Sequence, residues 1–232
     1  AYINNHLRKI SLTSEFSFVF EGILKDWIME VIAPKIDKAQ FGNQKGTGTE
    51  HLMVKPMDKL LGLLDKNNNR SAVIASLIDW ASAFDRQDPT LAIQKFIKMG
   101  VRPAVVPVLA SYLTDRQMQV KFNDAYSGTH TLPGGGPQGT LVGLIEYFVQ
   151  SNDNADCVDE DLRFKFVDDL SVLELVMLSG LLIEYNFKQH VASDIGIDEL
   201  YISPTNLKTQ ENLQNIASWT SENKMKLNKR SL

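Results

Sequence analysis

The sequence lacks several features that would narrow its class. Only one of its 232 residues, Cys157, is a cysteine, which excludes an internal disulfide framework and a zinc site of the cysteine type. No run of 18 or more apolar residues is present, so we expect no membrane span. The opening residues, AYINNHLRKI, have neither an initiator methionine nor the layout of a signal peptide. We therefore expect an intracellular protein of the nucleus or cytoplasm, not a secreted one.

The chain also has no excess of positive charge. It holds 24 Lys and Arg against 28 Asp and Glu, a net charge of −4. A globally basic nucleic-acid binder would instead carry a net positive charge. The acidic residues are concentrated, because positions 151–200 hold 12 acidic and 3 basic side chains. This segment is either a solvated acidic surface or an acidic centre that needs divalent cations, and charge alone does not decide between them.

Hydrophobic spacing predicts helices alternating with strands. The first expected helix begins at Thr13 or Ser14. Further helices are expected at 51–66, 88–100, a short segment after Pro107, 140–150 and 206–225. The expected strands are 72–79, a hairpin over 117–132, and a strand, turn and strand within 164–172, with loops at 40–51 and 132–140. This order of elements indicates the α+β class.

Two neighbouring aspartates interrupt the apolar stretch FKFVDDLSV (164–172). At a strand tip flanked by Phe166 and Leu170, the carboxylates of Asp168 and Asp169 would repel each other and take up protons unless a cation neutralised them. Hard cations such as Mg²⁺ select oxygen ligands of this kind. The alternative is that the pair lies in an ordinary solvated turn.

A third aspartate ends a buried strand. In LIDWASAFD (77–85), Asp79 follows an apolar run, where burial of a charge is energetically unfavourable. It could cap the following turn. If its strand lies beside the FKFVDDLSV hairpin, Asp79 and Asp168 could instead face each other across two metal ions, as in two-metal phosphoryl transfer.

The stretch LPGGGPQGT (132–140) is, by composition, only a loop. Its glycines would let the backbone approach a flat, charged ligand closely. Gln138, expected at the start of the next helix, could hydrogen-bond a sugar or a base edge. Each of these signals is weak by itself.

Taken in order, four stretches resemble the successive palm motifs of reverse transcriptases, most closely those of non-LTR (LINE, jockey-like) retrotransposons. They are LIDWASAFD, LPGGGPQGT, FKFVDDLSV and WTSENKMKLN. LRKISLTS…FEGIL and QFGNQKGTGTEH resemble the two fingers motifs that precede them. The resemblance extends from about residue 6 to residue 228. The spacing, 58 residues from Asp79 to Pro137 and 31 from Pro137 to Asp168, argues against coincidence.

The resemblance implies a right-hand polymerase fold whose palm is a small antiparallel sheet backed by helices. The fingers would comprise 1–70 and 89–136, the palm would comprise 71–88 and 137–232, and the thumb would be absent. The implied activity is that of an RNA-directed DNA polymerase, with an RNA template, a DNA primer, dNTP and two Mg²⁺ (or Mn²⁺) ions. The alternatives are a catalytically inactive retrotransposon remnant that at most binds nucleic acid, and a plain structural domain.

The resemblance also assigns roles around the metal ions. Asp79 and Asp168 would coordinate both ions, with Asp169 as a nearby, less direct helper. The backbone of the next four residues would approach the incoming triphosphate. These residues are Trp80, Ala81, Ser82 and Ala83.

Other residues are assigned to the nucleotide. The ring of Phe84 would leave no room for a 2′-hydroxyl and so select deoxynucleotides, although packing in the core is the alternative role for this ring. Gln138 and Gly139 belong to the PQG motif, whose glutamine supports the sugar. Arg8 would contact phosphates with its bidentate fork.

The sequence departs from the family pattern at three positions. Lys9 stands where a proline is expected, Phe18 stands where a lysine is expected, and Ser231 replaces a lysine near the end. Lys229 or Arg230 is an alternative basic group near the pyrophosphate. These departures motivate the inactive alternative.

Overall fold

A computed structural model describes residues 10–65, 71–177 and 208–228. The helices are α1 (Glu15–Ile32), α2 (Thr49–Asp65), α3 (Pro89–Lys98), α4 (Val106–Leu113), α5 (Leu141–Ser151) and α6 (Lys208–Glu222). The strands are β1 (Ser71–Asp79), β2 (Gln117–Met118), β3 (Lys121–Phe122), β4 (Ala125–Tyr126), β5 (His130–Thr131), β6 (Arg163–Phe166) and β7 (Asp169–Met177). Helices mixed with small antiparallel sheets confirm the predicted α+β class. In the part of the chain described, no helix has the length and apolar character needed to cross a membrane.

The chain divides into two compact units, and each is described by itself. The helical unit draws on Ala1–Asp37, Trp80–Asn154 and Thr220–Leu227. The sheet unit draws on Lys38–Asp79, Ala155–Trp219 and Asn228–Leu232. These bounds differ from those of the four segments expected for fingers and palm, and the assignment of those segments stays a prediction.

The helical unit is built on apolar faces of α1, α3, α4 and α5. The hydroxyl of Ser14 accepts a hydrogen bond from the Ser17 N–H at 3.2 Å, so α1 begins where the sequence predicted. The apolar positions of α1 recur every fourth residue and therefore lie on one face. They pack into one buried cluster with the other three helices. Its members include Leu24, Ile28, Ile32, Ala92, Phe96, Leu109, Leu113, Val142, Ile145 and Val149.

A buried carboxylate fixes the point at which α5 begins. One oxygen of Glu21 accepts hydrogen bonds from the backbone N–H groups of Leu141 at 2.8 Å and Val142 at 3.3 Å. Its other oxygen accepts from the hydroxyl of Tyr112 at 2.7 Å. The first N–H groups of a helix have no partner within the helix, and the helix dipole favours negative charge there. The loop before α5 is therefore anchored at its end.

The predicted hairpin at 117–132 forms in two short pieces. β2 pairs with β5 and β3 pairs with β4, both antiparallel. Between the two pieces, the N–H of Val120 donates to the side-chain hydroxyl of Ser127 at 2.9 Å. In the other direction the N–H of Ser127 donates to the Val120 carbonyl at 2.9 Å, so only one of the two hydrogen bonds of this pair joins backbone to backbone.

The sheet unit contains a three-stranded antiparallel sheet in the order β1, β7, β6. β1 and β7 pair over nine residues, from Ser71 opposite Met177 to Asp79 opposite Asp169. β6 precedes β7 through a two-residue turn, with Phe166 opposite Asp169. The predicted strand, turn and strand of FKFVDDLSV is confirmed, and so is its pairing with the strand that ends at Asp79.

Candidate active site

The acidic residues meet at one end of the sheet unit, where β1 ends and β7 begins. Asp79 is the last residue of β1 and stands opposite Asp169, the first residue of β7. Directly opposite residues of antiparallel strands lie on the same face of the sheet, so these two carboxylates belong to one face. Asp168 lies in the preceding turn. The sequence indicated that Asp79 and Asp168 could face each other, whereas the register puts Asp169 opposite Asp79.

The three aspartates interact electrostatically. Burial first, and then the negative charges of Asp168 and Asp79, raise the pKa of the Asp169 carboxyl above its ordinary value. Carboxylate oxygens are also the ligands that Mg²⁺ prefers, so the donor chemistry fits that ion. Within residues 10–65, 71–177 and 208–228, however, no three His, Cys, Asp or Glu side chains gather closely enough to hold a metal ion. The metal roles of the three aspartates therefore stay predictions.

Asn228 contacts the carboxylate that ends β1. Its side-chain amide donates to Oδ2 of Asp79 at 2.8 Å, and its backbone N–H donates to the Asp79 carbonyl at 2.9 Å. A donor on one carboxylate oxygen fixes the orientation of the group and leaves the other oxygen as the better ligand. Asn228 ends the WTSENKMKLN motif, but no local pattern in the sequence indicated that it would contact Asp79.

The four residues after Asp79 belong to the helical unit. The indole of Trp80 is buried and donates to the hydroxyl of Thr220 at 3.1 Å, and the N–H of Ala81 donates to the Lys226 carbonyl at 2.8 Å. Ser82 is exposed and has a φ of +54°, while the next residue, Ala83, is buried. Hydrogen bonds therefore hold Trp80 and Ala81 in place, and the exposed residue Ser82 follows them directly.

Phe84 is half-buried and packs against another aromatic ring. Its ring centroid lies 4.8 Å from that of Tyr147, with an angle of 24° between the planes. The carbonyl of Phe84 accepts from the N–H of Gly136, and that of Gln87 accepts from the N–H of Gly135, both at 2.7 Å. The turn that carries Phe84 is thus fastened to the LPGGGPQGT loop. The partly exposed, stacked ring is compatible with both predicted roles, the sugar gate and the core.

The glycines of that loop make this close approach possible. A Cβ on Gly136 would lie 1.6 Å from Oε1 of Gln87, so any side chain would collide there. Gly135 has a φ of +86°, a conformation that favours glycine. The sequence suggested that these glycines leave room for a ligand. Within the helical unit, they leave room for the chain's own Phe84–Gln87 segment.

Gln138 and Gly139 follow in the same loop. Gln138 is half-buried, and its backbone carbonyl accepts from the N–H of Ser11 at 2.8 Å. Gly139 is exposed with a φ of +96°. The sequence placed Gln138 at the start of a helix, but Thr140 caps α5 and Gln138 lies in the loop before the cap. Arg8, the last predicted site residue, lies outside the described residues.

Two further residues near these sites were not predicted. Gln40 is buried in the sheet unit and accepts a hydrogen bond from the N–H of Val167, in the turn that holds Asp168. Glu146 is fully buried in α5 of the helical unit. The available signal for Glu146 was a single charge within the apolar stretch TLVGLIEYFVQ. Gln40 gave no local signal, because its partner lies 127 residues away.

Solved structures define the class of fold. Telomerase from Candida albicans, in complex with a TWJ fragment of telomeric RNA, has a TM-score of 0.56 at 13% identity, and the match covers 93% of this chain and 34% of that one. The corresponding Candida tropicalis complex has a TM-score of 0.58 at 11% identity, covering 92% and 32%. Apo telomerase from Candida tropicalis, truncated from its C-terminal domain, has a TM-score of 0.54 at 12% identity, covering 98% and 44%. The fold is consistent with part of a reverse-transcriptase fold.

Curated relatives narrow the identification. The probable RNA-directed DNA polymerase from transposon X-element of Drosophila melanogaster is 27% identical over 171 residues, 71% of this chain and 18% of the relative. The one from transposon BS of the same species is 30% identical over 148 residues, 63% of this chain and 16% of the relative. No protein-family model matches the sequence. The chain is homologous to these non-LTR transposon polymerases, which confirms the predicted resemblance, and it spans less than a fifth of their length.

Proposed function

We propose that this chain is the part of an RNA-directed DNA polymerase that adds deoxynucleotides to a primer 3′-hydroxyl on an RNA template. One observation carries the proposal: the β1–β7 register brings Asp79 opposite Asp169, beside the turn that holds Asp168. Like charges brought this close together at a strand end repel each other, and a cation between them would remove that cost. The names of the Drosophila relatives support the same activity.

The three aspartates would hold two Mg²⁺ (or Mn²⁺) ions. When bound, such ions stabilise the attacking and leaving oxygens of an in-line displacement at phosphorus. The protein's own part is to hold the carboxylates in place. Asn228 contributes to this by fixing one oxygen of Asp79.

Under this proposal, the sheet of β1, β7 and β6 belongs to a polymerase palm formed by 71–88 and 137–232. The fingers would be formed by 1–70 and 89–136. The palm would bind the primer end and the fingers would bind the template. RNA would be recognised by its backbone and shape rather than by its sequence.

The remaining predicted residues would contact the incoming nucleotide. The ring of Phe84, held by its stacking on Tyr147, would exclude a 2′-hydroxyl. The side-chain amide of Gln138 would hydrogen-bond the sugar. Arg8 would contact the triphosphate, and the backbone of Trp80–Ala83 would lie along it.

Primer extension tests the proposal. A DNA primer annealed to an RNA template is incubated with the chain, dNTP and Mg²⁺, and we expect incorporation that requires both the template and the metal. Because the chain spans less than a fifth of its relatives, the same assay is repeated with a chimaeric X-element polymerase in which this segment replaces its counterpart. An inactive chimaera, with the parent polymerase active in parallel, would overturn the proposal.

A second candidate function is a non-catalytic remnant that binds nucleic acid. The observation in its favour is that, in the described ranges, no three potential ligand side chains are gathered for a metal ion. The sequence departures at Lys9, Phe18 and Ser231 point the same way. Binding of a primer–template duplex without extension, in both the chain and the chimaera, would favour this candidate.

Replacing Phe84 with alanine is expected to admit ribonucleotides. Without the ring, nothing at this position would collide with a 2′-hydroxyl, so the preference for dNTP over rNTP should fall by about tenfold or more. Competitive single-nucleotide incorporation measures that preference. Phe122→Ala is the matched control, since Phe122 is an exposed ring of the helical unit. Unchanged sugar selectivity in Phe84→Ala would assign Phe84 to the core.

A further inference from the structure

The two-residue turn of Val167 and Asp168 has an unfavourable backbone conformation. Its first residue, Val167, has a φ of +56°. A β-branched side chain collides with its own backbone in this left-handed region, where glycine and asparagine are the usual residues. Such a conformation persists only where surrounding contacts enforce it. The contacts that enforce it here also affect the positions of Asp168 and Asp169, because these are the next two residues.

Gln40 supplies those contacts. Its side-chain oxygen, Oε1, accepts a hydrogen bond from the N–H of Val167 at 2.9 Å. Its Nε2 lies 3.5 Å from the Val167 carbonyl, to which it donates. One buried amide thus bonds both sides of the strained residue. The same Oε1 also accepts from the N–H of Gly42 at 2.9 Å, which fixes the amide in its own loop.

The backbone around Gln40 is itself attached to the sheet. Gln40 forms a parallel bridge with Lys165, the N–H of Lys165 donates to the Ala39 carbonyl at 2.8 Å, and the N–H of Phe41 donates to the Lys165 carbonyl at 2.8 Å. Gly42 closes the contact, because a Cβ there would lie 2.6 Å from both Cγ2 and N of Val167. The segment is therefore docked along β6 at the level of the turn.

We infer that Gln40 is a positioning residue for the catalytic turn: it holds Val167 in the left-handed conformation that directs Asp168 and Asp169 toward Asp79. This inference rests on the proposed function for the part that concerns metal. Relaxation of Val167 to an ordinary φ would rotate the peptide that precedes Asp168. The carboxylates would then need to be reordered each time the ions bind.

The first test measures the turn without metal or nucleotide. Gln40→Met keeps the length and volume of the side chain but removes its hydrogen bonds. We expect hydrogen exchange at the Val167 amide to speed up by at least about tenfold, a loss comparable with that of one hydrogen bond. Gln44→Met is the control, because Gln44 lies in the same loop, whereas the side-chain hydrogen bonds to the Val167 backbone described above come from Gln40. Unchanged exchange at Val167 in Gln40→Met would overturn the inference.

The second test separates positioning from a general structural role. Val167→Gly removes the strain, since glycine adopts a positive φ freely. Mg²⁺ binding, followed by calorimetric titration, is expected to weaken by about 10–100-fold in Gln40→Met, the usual effect of losing a group that orients a metal ligand. In the double variant with Val167→Gly, most of that loss should be recovered. Equal losses in the single and double variants would make Gln40 merely structural and overturn the inference.

The two variants also cover the case in which Gln40→Met does not fold. If Gln40→Met is unfolded but the double variant folds, the strain at Val167 is what Gln40 opposes, as inferred. If both are unfolded, Gln40 supports the unit in general and the inference fails. A wild-type chain that binds no Mg²⁺, yet loses Val167 protection in Gln40→Met, would refute the proposed function while leaving the role of Gln40 in the turn intact.

Discussion

Replacing Asp168 with asparagine is expected to lower nucleotide incorporation by about a thousandfold or more. The substitution keeps the size of the side chain and removes the charge that would hold a divalent ion. Metal-based stabilisation of a phosphoryl transition state is worth several kcal/mol, and about 1.4 kcal/mol corresponds to a tenfold change in rate. The measurement is single-turnover primer extension with RNA template and Mg²⁺, in the chain and in the X-element chimaera.

The companion variants distinguish the roles of the other two aspartates. Family resemblance makes Asp169 a helper, whereas the register places it directly opposite Asp79. If the resemblance holds in detail, Asp169→Asn should cost clearly less than Asp79→Asn. If the strand register determines which carboxylates hold the ions, Asp169→Asn and Asp79→Asn should lose similar amounts of activity. Asp124→Asn is the control, because Asp124 is an exposed carboxylate in the β3–β4 turn.

A readout that needs no activity accompanies this prediction. Without metal, Asp169→Asn should raise the free energy of unfolding, because it removes a partly buried charge that repels its two neighbours. With Mg²⁺, the wild-type chain should be stabilised and the variant much less so, because a ligand stabilises only the state that binds it. Full activity in Asp168→Asn, or equal Mg²⁺ stabilisation of all variants, would contradict the carboxylate assignment.

The sequence was sufficient for the elements and for their pairing partners. The run 72–79 is short, apolar and β-branched, which is typical of a buried strand, and its terminal aspartate pointed to the hairpin at 164–172. β1 and β7 pair as that argument required. The exact register was beyond the sequence, because the run 72–79 carries apolar residues on both faces, so alternation does not show which face is buried.

Contacts between distant segments were also beyond the sequence. Periodicity reports which face of an element is apolar, but it does not report which polar group reaches a given backbone atom. Gln40 and Val167 meet across 127 residues, and Asn228 and Asp79 meet across 149. The glycines of the LPGGGPQGT loop likewise suggested an approaching ligand, and only the folded chain identifies the Phe84–Gln87 segment that fills the space at Gly135 and Gly136.

Glu146 should make the stability of the protein strongly dependent on pH. It is fully buried in α5, and neither of its carboxylate oxygens has a hydrogen-bond partner among the described residues. Burial raises the pKa of this carboxyl from 4.5 to about 7, and the charge of Arg116 offsets only part of that rise. The folded protein thus binds a proton at Glu146 that the unfolded chain releases above pH 4.5.

The sign of the effect follows from this proton. Below about pH 4.5, Glu146 is protonated in both the folded and the unfolded state, so it does not lower the free energy of unfolding. Between about pH 4.5 and pH 7, only the unfolded state loses the proton, so the free energy of unfolding falls as the pH rises. The total loss is about 3 kcal/mol, because one pKa unit is worth about 1.4 kcal/mol. Above about pH 7, the loss is complete and the contribution no longer changes.

Urea unfolding at pH 5 and at pH 8 tests this prediction when the wild-type chain is compared with Glu146→Gln. Glutamine has nearly the same shape and does not titrate, so the difference in unfolding free energy between the two proteins should shift by roughly 2–3 kcal/mol in favour of the variant between these pH values. Glu222→Gln replaces an exposed glutamate near the end of α6 and should leave the wild-type pH dependence nearly unchanged. Parallel curves for the wild-type chain and Glu146→Gln would contradict the prediction.

The same proton has a local consequence for the loop that carries Gln138. Oε2 of Glu146 lies 3.1 Å from where a Cβ on Gly136 would stand, and Oε1 of Gln87 lies 1.6 Å from the same point. Loss of the proton therefore places a negative charge beneath the loop, in a buried site where the carboxylate has no hydrogen-bond partner among the described residues. Hydrogen exchange at Gly135 and Gly136, corrected for the intrinsic effect of pH, should accelerate above pH 7 in the wild-type chain and not in Glu146→Gln.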